Sequence, residues 1–377
     1  MEKNNCFDKA RGKLGFGFMR LPMKNEEIDY TELNKMVDIF LESGFNYFDT
    51  AHGYLDGKSE IALKASLVDR YPRESYLIAD KLSAPHFNTE EEIRPLVDKE
   101  LSIVGVDYFD YFLMHAQDKD NFAKYKRCRA YEIAFELKAE GKVKHVGMSF
   151  HDEPALLEEI LTEYPDLEFV QIQLNYADYD DVAVQSRECL EVCKRHGKPA
   201  IVMEPVKGGT LVNIPKEAEE IFRDLGDASI ASYAIRFAAG CDGVEMVLSG
   251  MGTVDMMNDN VGYMKDFEPL SEREHEAIGR VLEILKGTDS IPCTDCRYCM
   301  ENCPKNIPIP KIFACLNSQN TFHYWNTKYY YGISIDGKGK ASDCIGCGVC
   351  ERACPQHLKI RELLKKAVDT FEKKKAN

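Results

Sequence analysis

The sequence predicts an α/β protein: a (β/α)8 TIM barrel followed by a smaller, mostly α-helical domain rich in cysteine. Three observations carry this reading. Over roughly the first 265 of the 377 residues, apolar runs of strand length alternate with amphipathic runs of helix length. Eight of the fourteen cysteines fall in two tight groups near the C-terminus. The charge changes sign at the same point. From Ile291 onward there are 14 Lys and Arg against 8 Asp and Glu, net +6, while the whole chain carries −15, which leaves −21 for the remainder. The expected domains are therefore a barrel over 1–270, a helical linker over 271–290 and the cysteine domain over 291–377.

The expected barrel strands are Phe16–Leu21, Phe45–Asp49, Ser75–Lys81, Tyr108–His115, Lys144–Ser149, Phe169–Asn175, Ala200–Met203 and Met246–Ser249. Between and after them come helices over Tyr30–Ser43, Ser59–Tyr71, Thr89–Val104, Ala130–Glu140, Pro154–Tyr164, Val182–Arg195, Ala228–Ala239 and Val254–Lys265. The first helix shows the logic. Leu33, Val37, Phe40 and Leu41 recur at spacings of three and four, so one face is apolar. Gly44 sits where a helix end needs positive φ, and the β-rich run from Phe45 follows at once. Eight such pairs in about 250 residues suit a closed barrel. The competing doubly wound fold lacks its signature, because the glycines of GKLGFGFMRLP lead into a strand and no G-x-G-x-x-G opens a helix. A closing helix over Glu272–Leu285 and a last one over Ile360–Lys374 complete the pattern, and the Lys373–Lys375 run reads as a solvated tail.

Composition excludes several classes. An acidic chain lacks the basic face that nonspecific nucleic-acid binding needs. No apolar run approaches the roughly 20 residues of a membrane helix. MEKNNCFDKARGK has no signal-type apolar segment. The expectation is a soluble cytoplasmic protein with no nucleic-acid or membrane partner.

The cysteine runs read CTDCRYCMENCP and CIGCGVCERACP. Both are C-x2-C-x2-C-x3-C-P, the bacterial spacing for [4Fe–4S] clusters, in which the fourth cysteine ligates the other cluster. Cys293, Cys296, Cys299 and Cys354 are expected on one cluster, and Cys344, Cys347, Cys350 and Cys303 on the second. The competing reading is zinc, which favours paired C-x2-C units over two four-cysteine runs. The positive charge of the domain suits two anionic clusters. Between the runs, the aromatic stretch Ile309–Tyr331 looks helical, and the domain resembles the helical two-cluster ferredoxin modules of respiratory dehydrogenases.

Barrel sites form at the C-terminal ends of strands. Those ends carry Asp49, then Tyr54 in FDTAHGYLDGKSE, Lys81 in YLIADKL and His115 in YFLMHAQ. An ordinary tyrosine is a poor acid at neutral pH. A neighbouring ammonium favours the phenolate, Asp49 would hold Lys81 charged, and His115 can orient a substrate oxygen. Each residue alone is unremarkable on a surface or strand end, but four suitable types at one mouth are a catalytic constellation.

These motifs, with GKVKHVGMSFH, QIQLNYAD, MEPVKGG and SGMGTVDMMNDNV, resemble the aldo-keto reductase superfamily over about Leu14–Lys265. With the cysteine domain, the chain resembles that superfamily's iron–sulfur-containing branch. The resemblance implies an NAD(P)-dependent oxidoreductase in which Tyr54 is the general acid, with Asp49, Lys81 and His115 completing a tetrad. It implies NAD(H) or NADP(H) across the barrel mouth. Ser149 and Gln173 would hold the carboxamide, with Met203 in the place of the usual stacking aromatic. Lys207 and Gly208 would meet the pyrophosphate, and Gly250 to Met256 with Asn260 the adenosine end. Met19 and Arg20 would line the substrate side. The stretch 250–256 holds no Lys or Arg and one Asp, which argues against a 2′-phosphate partner.

The substrate implied is a small carbonyl or alcohol. Cubane clusters move single electrons whereas nicotinamide moves hydride, so a flavin, whose barrel loops leave weak traces, and a redox partner protein both stay open. Two alternatives stand beside the enzyme: an iron–sulfur electron-transfer protein whose tetrad does no hydride chemistry, and a nicotinamide-sensing regulator.

Overall fold

The computed structural model describes residues 6–287, 290–301 and 303–373. The first five residues of the stretch read above as free of a signal segment lie outside them, as do Lys374 and Lys375. The chain forms two compact units. One comprises Met1–Tyr176, Arg187–Val206 and Ala228–Ser271, the other Ala177–Ser186, Lys207–Asp227 and Glu272–Asn377.

The first unit is a closed parallel barrel. Its strands are β1 (Leu14–Gly17), β4 (Tyr47–Asp49), β5 (Leu77–Leu82), β6 (Phe109–Gln117), β7 (Val143–Phe150), β8 (Phe169–Gln173), β9 (Ala200–Met203) and β10 (Val244–Ser249), with β1 pairing both β4 and β10 to close the ring. The remaining two, β2 (Met23–Lys24) and β3 (Glu27–Ile28), form an outlying antiparallel hairpin.

Period-2 alternation decides what faces the axis. Tyr47, Leu77, Ala79, Tyr111, Leu113, Phe169, Ile201, Met246 and Leu248 pack into one buried cluster with Cys6 and Phe7. Phe7 stacks on Tyr111 at 5.0 Å, and Tyr111 donates to the Cys6 carbonyl at 2.9 Å. The same faces, followed upward, present Asp49, Lys81 and His115. The apolar floor is thus the platform for the polar mouth. Gly147 makes room on it, since a Cβ there would lie 2.6 Å from the Phe169 ring.

Most element expectations hold within a few residues. The first helix runs Tyr30–Glu42, capped by Asp29 and closed before Gly44, whose φ is +95°. The first strand, expected over Phe16–Leu21, starts two residues earlier and ends four earlier. Its downstream half leaves the ladder after a bond from Phe18 N to Asp49 O, and the chain turns through the hairpin at Asn25 and Glu26, both at positive φ. The expected helix Ser59–Tyr71 divides into Lys58–Leu63 and a wider turn over Lys64–Val68. Val182–Arg195 shortens to Ser186–Arg195.

The second unit is helical. Helices Tyr298–Glu301, Ile309–Phe322, Thr327–Ile335, Val349–Ala353 and Ile360–Ala367 share a core built on Ile307, Ile312, Phe313, Leu316, Ile360 and Leu364. The aromatic stretch read as helical is two helices, broken at His323, which has φ +46°. Among the described residues, no helix is long and apolar enough to cross a membrane.

Candidate active site and cysteine cavities

The four catalytic candidates converge at the barrel mouth. Lys81 is fully buried, and its ammonium donates to Asp49 Oδ1 at 2.7 Å and to the Thr50 carbonyl at 2.6 Å. Its Nζ lies 4.9 Å from the centre of the Tyr54 ring. The His115 ring meets that same ring edge-on at 5.8 Å, and its Nδ1 shares a 2.6 Å hydrogen bond with Ser83 Oγ. Ser83 therefore orients the imidazole, a role the sequence reading missed.

A local device presents Tyr54. Thr50 Oγ1 and Ser59 Oγ lie 2.7 Å apart, and Ser59 Oγ donates to the Phe18 carbonyl at 2.9 Å, so strand end and helix start are tied together. Between them the chain coils through Leu55, Asp56 and Gly57, all at positive φ. Only glycine occupies that conformation without strain, which accounts for Gly57.

The electrostatics follow from burial. Desolvation works against the Lys81 ammonium, but attraction to Asp49 and Tyr54 outweighs it and holds its pKa above the ordinary lysine value. Asp49 is raised by burial, with Lys81 opposing. Tyr54 is also raised. Lys81 pulls it down as the sequence reading anticipated, but burial is the larger effect, so the resting phenol is a secure proton carrier and its net shift is opposite to the expected one. His115 is pushed well below the ordinary value by burial and then by the Lys81 charge, so it is neutral at pH 7.

The expected nucleotide contacts lie in two places. In the barrel unit, Ser149 is buried and its Oγ accepts from Ala116 N at 2.7 Å. Gln173 and Met203 are paired in register on neighbouring strands. Gln171 Nε2 approaches Met203 Sδ at 3.5 Å. Asn260 accepts from Ser249 Oγ at 2.7 Å. Met19 and Met256 are exposed, and Arg20 pairs with Glu204 at 3.4 Å. A Cβ on Gly250 would crowd the Arg20 side chain at 3.3 Å. Lys207 and Gly208 belong to the second unit. There the Lys207 ammonium is buried, ion-paired with Asp178, and 5.0 and 4.9 Å from the rings of Phe322 and Tyr324.

Glu32 was not foreseen. Its Oε1 accepts from Val254 N at 2.9 Å, so a carboxylate from the first barrel helix caps the helix Val254–Met264 beside Thr253. Sequence spacing gives no hint of this contact, which spans 222 positions.

In the second unit the cysteines gather as two sets. Cys293, Cys296, Cys299 and Cys354 line one cavity. Cys303, Cys344, Cys347 and Cys350 line another. Each set draws three members from one run and the last from the other. Positive-φ residues recur at equivalent places, Asp295 and Arg297 in one run and Gly346 and Gly348 in the other, curling each tripeptide around its cavity. The donor set suits iron. Burial first, then the neighbouring sulfurs Cys293 and Cys296, push the Cys299 thiol up to about 12. Such crowded sulfurs become thiolates only when a cation offsets them.

A closed parallel barrel with titratable side chains gathered at the C-terminal ends of its strands has the layout of an α/β-barrel active site. The chain belongs to the aldo/keto reductase family, which residues 13–283 match, and residues 292–358 match the 4Fe-4S dicluster domain. It is 27% identical over 195 residues to the NADH-specific methylglyoxal reductase of Escherichia coli (strain K12), an alignment covering 46% of this chain and 57% of that protein. It is 27% identical over 187 residues to Protein REDOX 2 of Catharanthus roseus, covering 43% and 54%. The chain thus spans little more than half the length of these curated relatives. Among solved structures, an aldo-keto reductase of Bacillus halodurans in its holo form superposes with a TM-score of 0.58 at 24% identity, over 71% of this chain and 91% of that one. An aldo-keto reductase of Klebsiella pneumoniae in complex with NADPH gives 0.59 at 17%, over 72% and 90%. These likenesses carry the fold.

Proposed function

We propose that the protein reduces small carbonyl compounds with a nicotinamide cofactor, preferring NADH, in a cytoplasmic setting where its thiols stay reduced. The observation that carries this is the buried Asp49–Lys81 pair set against the Tyr54 ring, with the His115 ring edge-on to it. When bound, the nicotinamide supplies hydride to the carbonyl carbon. Tyr54 gives its hydroxyl proton to the carbonyl oxygen, so the C=O bond becomes a C–OH. Lys81 stabilises the charge left on Tyr54, and Asp49 keeps Lys81 in place. Neutral His115, its Nδ1 engaged with Ser83, offers Nε2 to the substrate oxygen. Ser149, Gln173 and Asn260 are the barrel residues that would hold the nucleotide. The Glu32 carboxylate and the lack of any cation over 250–256 disfavour a 2′-phosphate. The NADH specificity in the name of the Escherichia coli relative agrees.

The cysteine cavities support two [4Fe–4S] clusters, which would supply single-electron transfer. Tyr298 and Ile345, each lying between ligand cysteines, are 51% and 62% exposed. That apolar exposure favours a second role, electron exchange with a redox partner protein. A bound flavin would link the two chemistries, and anaerobic cofactor extraction tests for one.

The deciding experiment is Tyr54→Phe. Reduction of methylglyoxal by NADH falls at least ~100-fold, the usual scale for losing a general acid, with nucleotide affinity and iron content kept. Unchanged turnover would move the chemistry out of the barrel and favour the electron-transfer reading.

A further inference from the structure

Behind the wall that carries Lys81, outside the barrel staves, lies a second cluster of chemistry-bearing side chains that the reductase reading does not use. Asp80 points away from the axis on β5, its Oδ1 accepting from the Lys81 amide at 2.8 Å. Glu60 comes from the helix Lys58–Leu63 and Glu100 from the helix Ile93–Val104. His52 comes from the turn after β4. The three carboxylates are fully buried and His52 is 8% exposed.

Hydrogen bonding does not account for them. His52 Nδ1 lies 2.7 Å from Glu60 Oε2. Among the described residues, Glu60 Oε1, Asp80 Oδ2 and both oxygens of Glu100 have no hydrogen-bond partner. Glu60 and Asp80 face each other as two acceptors, a contact that only a proton or a cation between them satisfies. Glu100 brings two further partnerless oxygens into the same space. One ligand atom from each of His52, Glu60 and Glu100 lies within 4.8 Å of the others. The exposed Lys99 brings its Nζ to 3.4 Å from His52 Nε2.

From this geometry we propose that His52, Glu60 and Glu100 bind a divalent first-row metal ion, with Asp80 bracing Glu60 from behind. With one proton shared in the Glu60–Asp80 contact, that pair and Glu100 together carry two negative charges, which a divalent ion cancels. One imidazole with carboxylate oxygens suits Mn²⁺, Fe²⁺ or Zn²⁺ and lacks the thiolates that select softer ions. His52 is the member of the cluster with some exposure, and its ring meets that of the exposed His86 edge-on at 4.8 Å, so an ion would enter on that side. Bound there, it clamps two helices and the turn after β4 to the outer face of β5.

The test uses the holoprotein, purified anaerobically and desalted. MnCl2 is the probe, because Mn²⁺ prefers oxygen and nitrogen to cysteine thiolates and its free form is counted by electron paramagnetic resonance. Wild type takes up a single equivalent, which ZnCl2 displaces, and its thermal unfolding midpoint rises with the metal. Glu100→Gln keeps the shape and weakens uptake at least ~10-fold, as does Glu60→Gln should the first variant fold poorly. Glu91→Gln, an exposed carboxylate before the same helix, changes nothing. Equal uptake by wild type and both buried-site variants, or no uptake by wild type, overturns the proposal and leaves a cluster of protonated acids in the wall.

Discussion

Replacing Lys81 by Met separates what the buried ion pair does for the fold from what it does for chemistry. The ammonium and Asp49 Oδ1 are 2.7 Å apart with both groups out of water. At an effective dielectric of about 20, that contact is an attraction of about 6 kcal/mol, most of it offset by desolvation. Lys81→Met keeps the volume of the stem but leaves the Asp49 carboxylate buried without its partner, and its Oδ2 has no other among the described residues. The expected cost is about 3–5 kcal/mol, the range for breaking one side of a buried pair. Asp49→Asn/Lys81→Met removes both charges and should recover most of that loss. Carbonyl reduction behaves differently: it stays at least ~100-fold down in the double variant, because Tyr54 still lacks the neighbouring cation. Chemical unfolding followed by far-ultraviolet circular dichroism gives the first quantity, and NADH oxidation with methylglyoxal the second. A single variant as stable as wild type, or a double variant that regains turnover, would refute the reasoning.

Three further outcomes follow from the site geometry. Cys354→Ser should lower iron from about eight per chain by depleting the cavity lined by Cys293, Cys296 and Cys299, and a loss confined to the other cavity would contradict the crossed arrangement. Glu32→Gln should narrow the preference for NADH over NADPH by several-fold in fluorescence titrations, and a wild type preferring NADPH ten-fold, about 1.4 kcal/mol, would show that another cation serves the phosphate. His115 is held neutral, its pKa below the ordinary 6.5. The unfolded chain therefore takes up that proton first, so its stability contribution is complete above pH 6.5 and is lost as the pH falls below it. His115→Gln should flatten the acid side of the unfolding profile, and an unchanged profile would show that the imidazole is not held neutral.

Much of this was legible in the chain because period and spacing are local properties. Lys81 follows from its place at the end of an apolar run, and the crossed cysteine sets follow from two C-x2-C-x2-C-x3-C-P runs. Ser83, Glu32 and the carboxylates behind β5 were not legible. Each acts through a partner distant in sequence, and nothing in local pattern says that Asp80, Glu60 and Glu100 will meet in three dimensions. The hairpin Met23–Ile28 escaped because its strands are two residues long, below any period. The helices Lys119–Arg127 and Lys216–Arg223 escaped because they are rich in charge and lie where connecting loops were expected. Lys207 reads as a phosphate ligand by motif, yet its charge is engaged by Asp178, a pairing that composition does not disclose.

The crossed cysteine cavities bear on how the second unit is assembled. Because each cavity borrows one sulfur from the opposite run, a metal group in either one staples the same two stretches of chain together. Closing a loop of about 50 residues in this way removes roughly 4 kcal/mol of chain entropy from the unfolded ensemble. The second group then enters a loop already closed and meets its four sulfurs preassembled, at no further entropic cost of that kind. Loading is therefore expected to be cooperative, with chains holding either both groups or neither. Oxidative loss of one would loosen the ligands of the other, and the helices Ile309–Phe322 and Thr327–Ile335, strung between the two runs, would be released as one piece.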